Sequence, residues 1–315
     1  MRTWFGMRGF AAGVACACVM SGCADYSSSA HPQASSQAPI QYIAQWGAKG
    51  DGPGQLDEPA SIATDLMGNV YIADGGSEFI HKFDPEGTPL LAFQEGGLKH
   101  PQWIALDRGG AMYASDPSKS AVYIFLPNGD RWRILHLRTR PNKENELSVG
   151  VAADGIIHVF DPIANTVFSF TRNMRLTHKW QPVEGAAGAM GHLGPLAMGP
   201  DGFLYIADSA AGKILRFDTE GRFDLAYGIP NPDGSLRRLS RNFAVSSNDV
   251  FAMDADGVTL HVWSTTDAKP KMDVDLSKEL GQQPRVPPSL AFSPRGELLV
   301  LDAPQDRVLR YHINF

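Results

Sequence analysis

An aspartate followed nine residues later by an aromatic side chain recurs six times along this 315-residue chain. Successive aspartates are separated by 42, 45, 47, 46 and 48 residues. Around each pair apolar residues alternate with period two, as in Phe203–Ala207, and turn sequences such as Asp-Gly separate the runs. This pattern is typical of short β-strands joined by tight turns. The pairs are Asp74 with Phe83, Asp116 with Phe125, Asp161 with Phe170, Asp208 with Phe217, Asp254 with Trp263 and Asp302 with Tyr311.

A repeat of this length with several short strands per unit predicts a β-propeller. Helical repeats of similar length need amphipathic helices, and the units show none. We therefore expect an all-β fold with six four-stranded blades. The last unit has only three strands, and one more strand, 40–46, precedes the first unit. That N-terminal strand should close the last blade, with Tyr42, Ile43 and Trp46 packed against it, and so remove an exposed sheet edge.

The predicted blades cover 57–94, 100–137, 146–181, 194–228, 239–276, and 287–315 together with 40–46. Strands A to D run from the axis outward in each blade. Because neighbouring strands are antiparallel, the D-to-A and B-to-C connections share one face, here called the top. The short A-to-B and C-to-D turns share the bottom. Long loops on a rigid scaffold often carry function, so we expect the binding site on top.

The repeat resembles the NHL family. Its pattern is matched by residues 59–65 (PASIATD) followed by 69–74 (NVYIAD), by 101–107 (PQWIALD) and by 204–208 (LYIAD). The resemblance covers about 40–315 and is closest in units one, two and four. It implies a six-bladed propeller. It leaves the activity open, because propellers of this type include binding modules as well as enzymes.

Residues 1–22 have the features of an export signal. Arg2 and Arg8 precede a short apolar stretch, and residues 20–23 (MSGC) resemble the lipobox of bacterial lipoproteins. That resemblance implies lipidation of Cys23, followed by a flexible Ser/Ala/Pro-rich tether over 23–39. An ordinary cleaved signal with an incidental cysteine is the alternative. Ala24 points to the outer membrane, facing the periplasm, and Asp25 keeps the inner membrane as the alternative.

Charge and cysteine content restrict the partners. The net charge of −6 becomes −8 once Arg2 and Arg8 leave with the signal. An acidic domain does not favour nucleic acid. The remaining two cysteines also lie in the signal, so the propeller has no disulfide and depends on its core. We expect a monomer attached to the membrane through Cys23.

The candidate binding residues lie in the top loops or at the inner strands' upper ends. Arg237, Arg238 and Arg241 form a basic cluster suited to carboxylate, sulfate or phosphate groups. The alternative is a solvated loop whose arginines pair with Asp233 or Glu279. Trp103 is suited to stacking on a sugar or peptide, with packing as the alternative. The other candidates, also in the top loops or the mouth ring, are His100, His192 and Asn242, and Arg285 lies in the loop before blade six.

Metal and catalytic residues are not predicted. Lactonases with a similar architecture hold calcium with Glu, Asn and Asp at the mouth, whereas the equivalent ring here contains one residue of that type, Asn242. NHL-type amidating lyases hold zinc with His, and His100 and His192 lack a third histidine at an equivalent place. His158 is interpreted as a packed strand residue, and the six aspartates as turn residues. The mouth ring is Ser61, Trp103, Ser148, Pro195, Asn242 and Ser289.

Two hypotheses therefore follow from the sequence. The first is a non-enzymatic, lipid-anchored module that binds a protein, peptide or glycan in the periplasm without a cofactor. The second is a metal-dependent hydrolase or lyase of the lactonase or amidating-lyase type.

Overall fold

The computed structural model describes residues 39–94, 97–139, 146–183, 188, 190–281 and 288–314. The predicted signal, Cys23, nearly all of the tether and Arg285 lie outside these residues. The described strands form six four-stranded antiparallel sheets whose innermost strands pack side by side, among them Pro59–Thr64 next to Trp103–Leu106 and Ser289–Phe292. The fold is therefore the six-bladed β-propeller that the repeat predicts. No helix in the described ranges has the length and apolar composition needed to cross a bilayer.

The strands follow the repeat closely. Blade one contains β2 (Pro59–Thr64), β3 (Val70–Asp74), β4 (Phe79–Phe83) and β5 (Pro89–Phe93); blade two contains β6 (Trp103–Leu106), β7 (Met112–Asp116), β8 (Ala121–Phe125) and β9 (Arg131–His136). Blade three contains β10 (Ser148–Val151), β11 (Ile157–Asp161), β12 (Thr166–Phe170) and β13 (Leu176–Trp180); blade four contains β14 (Leu193–Met198), β15 (Leu204–Asp208), β16 (Lys213–Phe217) and β17 (Phe223–Tyr227).

The last two blades complete the ring. Blade five contains β18 (Leu239–Val245), β19 (Asp249–Asp254), β20 (Thr259–Ser264) and β21 (Pro270–Asp275), followed by the single-turn helix α1 (Ser277–Leu280). Blade six contains β22 (Ser289–Phe292), β23 (Glu297–Asp302) and β24 (Arg307–Ile313), with β1 (Ile40–Trp46) as its outer strand. Two short 3₁₀ turns, Pro117–Lys119 and Ala303–Gln305, lie in B-to-C connections.

The N-terminal strand β1 closes blade six, as predicted. It pairs antiparallel with β24, placing Ile40 opposite Ile313 and Trp46 opposite Val308. The backbone N–H of Asn314 donates to the carbonyl of Pro39 at 2.9 Å. The expectation that all three large β1 side chains are buried was wrong for two, because Tyr42 and Ile43 are 41% and 39% exposed. They lie on β1, which is the outermost strand of this blade in the part of the chain that the structure describes.

Adjacent blades are joined by a recurring contact of an aromatic ring with a glycine. The ring at the end of one outer strand packs on the C-to-D turn of the next blade and on the aromatic residue nine positions after its aspartate. The ring centroids of Trp46 and Phe83 are 6.5 Å apart, and those of Trp180 and Phe217 are 5.2 Å apart. A Cβ added to Gly221, whose φ is +87°, would lie 2.5 Å from the Trp180 ring. The turn therefore requires glycine for its conformation and for this close approach.

The six repeated aspartates act as structural residues, and three of them bind the backbone of the loop that enters their blade. Asp74, Asp116 and Asp208 each accept a backbone N–H from the residue 17 positions earlier, at 2.8–2.9 Å. That residue belongs to the loop entering the same blade, so the carboxylate ties the top loop to the top end of strand B. Asp161 instead accepts two N–H bonds within its own turn. These contacts account for the recurrence of aspartate in a fold with buried strand ends.

Candidate functional site

A cavity of about 520 Å³ opens at the top mouth of the propeller. Four of the predicted site residues line it: Trp103, Arg238, Arg241 and Asn242. Ser209 and Ala255, from two B-to-C loops, also line it, as the antiparallel order requires. The residues of the cavity wall come from five different blades. Some of them lie on inner strands and others lie in loops. Its size falls within the range of about 300–1,000 Å³ that is common for ligand sites.

Trp103 lies at the boundary between the mouth and the central channel. It lines both cavities, and it also packs against the buried apolar cluster between blades two and three. Its backbone N–H donates to the Ser115 hydroxyl at 3.1 Å, which fixes the start of β6. The two roles considered from the sequence are therefore compatible, since the residue has both a packing contact and a surface on the cavity.

The arginine cluster is paired differently from the sequence expectation. Arg241 forms an ion pair with Glu146, which enters the mouth just before blade three, and Arg237 Nη1 lies 3.8 Å from Asp254 Oδ2. The proposed partner Asp233 instead accepts from Ser235 within its own loop. Glu279 is the other proposed partner, and its Oε1 lies 4.0 Å from Lys278 Nζ.

These pairings were wrong because the partners come from other elements of the ring rather than from nearby sequence. Arg238 is exposed at the mouth and forms no ion pair with any described residue. It is therefore the arginine of the cluster that is most available to an incoming anion.

Neither candidate histidine lines the mouth cavity. His100 is exposed in the loop before blade two. His192 lines a neighbouring cavity of about 320 Å³, and its Nε2 lies 3.9 Å from Glu146 Oε2. His192 therefore reaches the mouth only through Glu146, and neither histidine lines the cavity with Trp103, Arg238 and Arg241.

Two residues of the mouth were missed by the sequence analysis. Glu146 and Gln102 both line the cavity, and Glu146 Oε2 and Gln102 Oε1 are buried without a hydrogen-bond partner among the described residues. Glu146 lies two residues before Ser148, a member of the predicted mouth ring. Side chains in an extended segment alternate between two faces, so Glu146 and Ser148, two positions apart, lie on the same face. This spacing is the sequence signal from which Glu146 could have been predicted to line the mouth.

Blade five has a buried histidine beside its repeated aspartate, as blade one has in His81. Its aspartate, Asp254, accepts a hydrogen bond from His261 Nε2 at 2.8 Å, while His261 Nδ1 bonds Asp273 at 2.7 Å. Burial of the imidazole acts to lower its pKa. The hydrogen bonds and charges of the two carboxylates outweigh burial and raise the pKa of His261 above its ordinary value. An imidazolium donates to both carboxylates at once, whereas a neutral ring donates to only one.

Below the mouth the channel is narrow and mostly apolar. One small residue from the inner strand of each blade lines it: Ala63, Ala105, Gly150, Ala197, Ala244 and Ala291. His158 is buried in blade three with Nδ1 3.0 Å from the Ser169 hydroxyl, and burial lowers its pKa to about 4. It is a packed, neutral strand residue, in agreement with the sequence interpretation. Within the described residues no three His, Cys, Asp or Glu side chains are arranged to hold a metal ion.

Solved structures show the same fold at low sequence identity. A streptogramin B lyase aligns with a TM-score of 0.62 and 13% identity, covering 87% of this chain and 98% of that chain. The virginiamycin B lyase from Staphylococcus aureus aligns with a TM-score of 0.60 and 12% identity, covering 87% and 99%. The Cps50 (Swd1) β-propeller domain from Myceliophteria thermophila aligns with a TM-score of 0.58 and 10% identity, covering 87% and 100%.

At these identities the likeness shows the fold alone, because enzymes and other propellers align about equally well. No protein-family model matches the chain. No curated protein matches it at a significant level. The NHL resemblance therefore remains a prediction from the motifs.

Proposed function

We propose that this chain is a binding module whose top mouth takes a peptide, protein or glycan segment. The observation that carries the proposal is the convergence of Trp103, Arg238 and Arg241 on one cavity of about 520 Å³. Aromatic and arginine side chains supply much of the binding energy at interfaces, because they offer large rigid area and directional donors. Trp103 and Arg241 lie on inner strands of the ring, so this part of the site is preorganised.

We also propose that the module is exported and attached to the cell envelope through a lipid on Cys23. The support is the charged start, the short apolar stretch and the lipobox-like residues 20–23. The polar segment 23–39 would then serve as a tether. The outer membrane, facing the periplasm, is the proposed location.

Capture experiments with matched variants test the binding function. Tagged protein and two variants, Trp103→Ala and the triple replacement of Arg237, Arg238 and Arg241 by Ala, are incubated with cell-envelope extract. Both variants should retain less than a tenth of the wild-type ligand, and the effect of the arginine variant should shrink at high salt because charges are then screened. Arg108→Ala, in the bottom turn of blade two, is the control. Loss of ligand in that control with full retention in the mouth variants contradicts the proposal.

A lyase or hydrolase is the second candidate function. Its specific support is the fold shared with two propellers described as lyases, and that support is limited by their 12–13% identity. The candidate predicts an activity that depends on the mouth and, for the metal-dependent form, a stoichiometric bound ion. Metal analysis of purified protein and assay of Trp103→Ala against wild type distinguish it from a binding module.

A further inference from the structure

The mouth cavity presents hydrogen-bond acceptors as well as arginines. Glu146 Oε1 faces Arg241, but Oε2 has no hydrogen-bond partner among the described residues and is buried. His192 Nε2 lies 3.9 Å from it, which is beyond hydrogen-bond distance. Gln102 Oε1, on the adjacent blade, is likewise buried and without a partner. A buried acceptor without a donor is costly, so a ligand that supplies donors here gains affinity.

The blade-five side of the same cavity presents a positive charge and therefore favours an anionic group of the ligand. Arg238 is exposed there and forms no ion pair with a described residue. A ligand that satisfies both sides must carry donors and an anion within the length of one small cavity. A charged acceptor such as Glu146 favours a cationic donor, because charge-assisted hydrogen bonds are about twice as strong as neutral ones.

We infer that the mouth recognises a short peptide through its free α-ammonium group and a nearby carboxylate. The ammonium group lies at Glu146 and Gln102, the carboxylate lies at Arg238, and Trp103 contacts the side chains between them. The inference rests on the proposed function, since it specifies the ligand of the same mouth. Glycans fit less well, because sugar hydroxyls donate hydrogen bonds but supply no positive charge to Glu146.

Two matched peptide libraries test the inference. Lysine-free tetrapeptides of random sequence are prepared with free amino termini or with acetylated ones, so both keep the carboxylate and differ in the ammonium group. Retention on immobilised full-length protein is measured by mass spectrometry. We expect the wild type to prefer the free-amine library about ten-fold, which corresponds to one hydrogen bond to a charged group.

The variant Glu146→Gln gives the decisive comparison. It removes the negative charge and releases Arg241 from its ion pair, so the free-amine preference should fall to about one while retention of the acetylated library stays the same or rises. Glu220→Gln, an exposed glutamate in a C-to-D turn, should keep the wild-type preference. A purely structural role for Glu146 would lower the retention of both libraries together.

The outcomes separate this inference from the proposed function. Equal retention of the two libraries by wild type, or retention of neither, overturns the inference, as does a preference that survives Glu146→Gln. Preferential retention of hexuronate oligosaccharides over the free-amine library also overturns it and assigns the mouth to acidic glycans. Arg238→Gln should weaken both libraries. Unchanged retention of both in that variant overturns the assignment of the carboxylate to Arg238. Retention of both that is also unchanged by Trp103→Ala contradicts the proposed function itself.

Discussion

Replacing Trp46 by alanine tests whether the N-terminal strand holds the ring closed. Trp46 is half-buried at the end of β1, where it packs against Phe83 and the buried cluster containing Leu56 and Val308. Truncating a fully buried tryptophan costs about 3–5 kcal/mol. Because Trp46 is only half-buried, we expect Trp46→Ala to lower the free energy of unfolding by about 2 kcal/mol. With a shift of about 2–4 °C per kcal/mol in domains of roughly this size, the unfolding midpoint should fall by about 4–8 °C.

Thermal unfolding followed by circular dichroism at a fixed scan rate measures the effect. Trp46→Phe should recover most of the loss, because it keeps a ring in place and removes an indole N–H that is buried without a hydrogen-bond partner among the described residues. Deleting 40–46 should lower the midpoint further than Trp46→Ala, since it also exposes the edge of β24. The control is Met67→Ala, at a side chain that is 79% exposed, with an expected change within about 0.5 kcal/mol.

The reasoning is refuted if Trp46→Ala shifts the midpoint no more than the Met67→Ala control. An unchanged midpoint after deletion of 40–46 would show that β1 is not needed to close the ring.

Three further predictions address the anchor, the blade joints and the buried histidine. Cys23→Ser should remove the protein from the membrane fraction, and unchanged fractionation by immunoblot would contradict lipidation. Gly221→Ala should lower the free energy of unfolding in urea by about 1–3 kcal/mol more than Gly202→Ala does. Both glycines have a φ of +87°, but only Gly221 lies against the Trp180 ring. Equal losses in the two variants would show that the backbone conformation alone causes the destabilisation. Because the folded-state pKa of His261 is raised, its stabilisation is present below the unfolded pKa of about 6.5 and is lost as pH rises through the folded-state value. Wild type should therefore exceed His261→Gln in unfolding free energy by more at pH 6 than at pH 9, and a gap that grows with pH would contradict this.

The blade structure could be predicted from the sequence because each repeat carries its own local signals. Alternating strands, glycine turns and the aspartate with its aromatic partner recur in every unit, so six weak signals support one another. The closure by β1 followed from counting strands in the last unit. The burial of Tyr42 and Ile43 was overestimated because alternation identifies the face of a strand, and an outermost strand has no neighbour to cover it.

The mouth was predictable only in part. Trp103 and Asn242 were identified because they occupy one equivalent position at the start of the inner strands. Glu146 was missed because it precedes its strand in a long loop, where only its two-residue offset from Ser148 relates it to the repeat. Its pairing with Arg241 joins residues 95 positions apart, and no sequence pattern predicts such a contact. Local spacing therefore identifies the scaffold positions, while charge pairing depends on how the loops of different blades meet.

The hydrogen bond between Asn314 and Pro39 has a topological consequence. The two ends of the propeller meet inside a blade, so the ring of blades does not depend on the point at which the chain begins. A short linker between residues 314 and 39, with a new opening between Asp201 and Gly202 in the exposed A-to-B turn of blade four, would give a circular permutant. Every strand would keep its neighbours, and blade four would then become the blade built from both ends of the polypeptide.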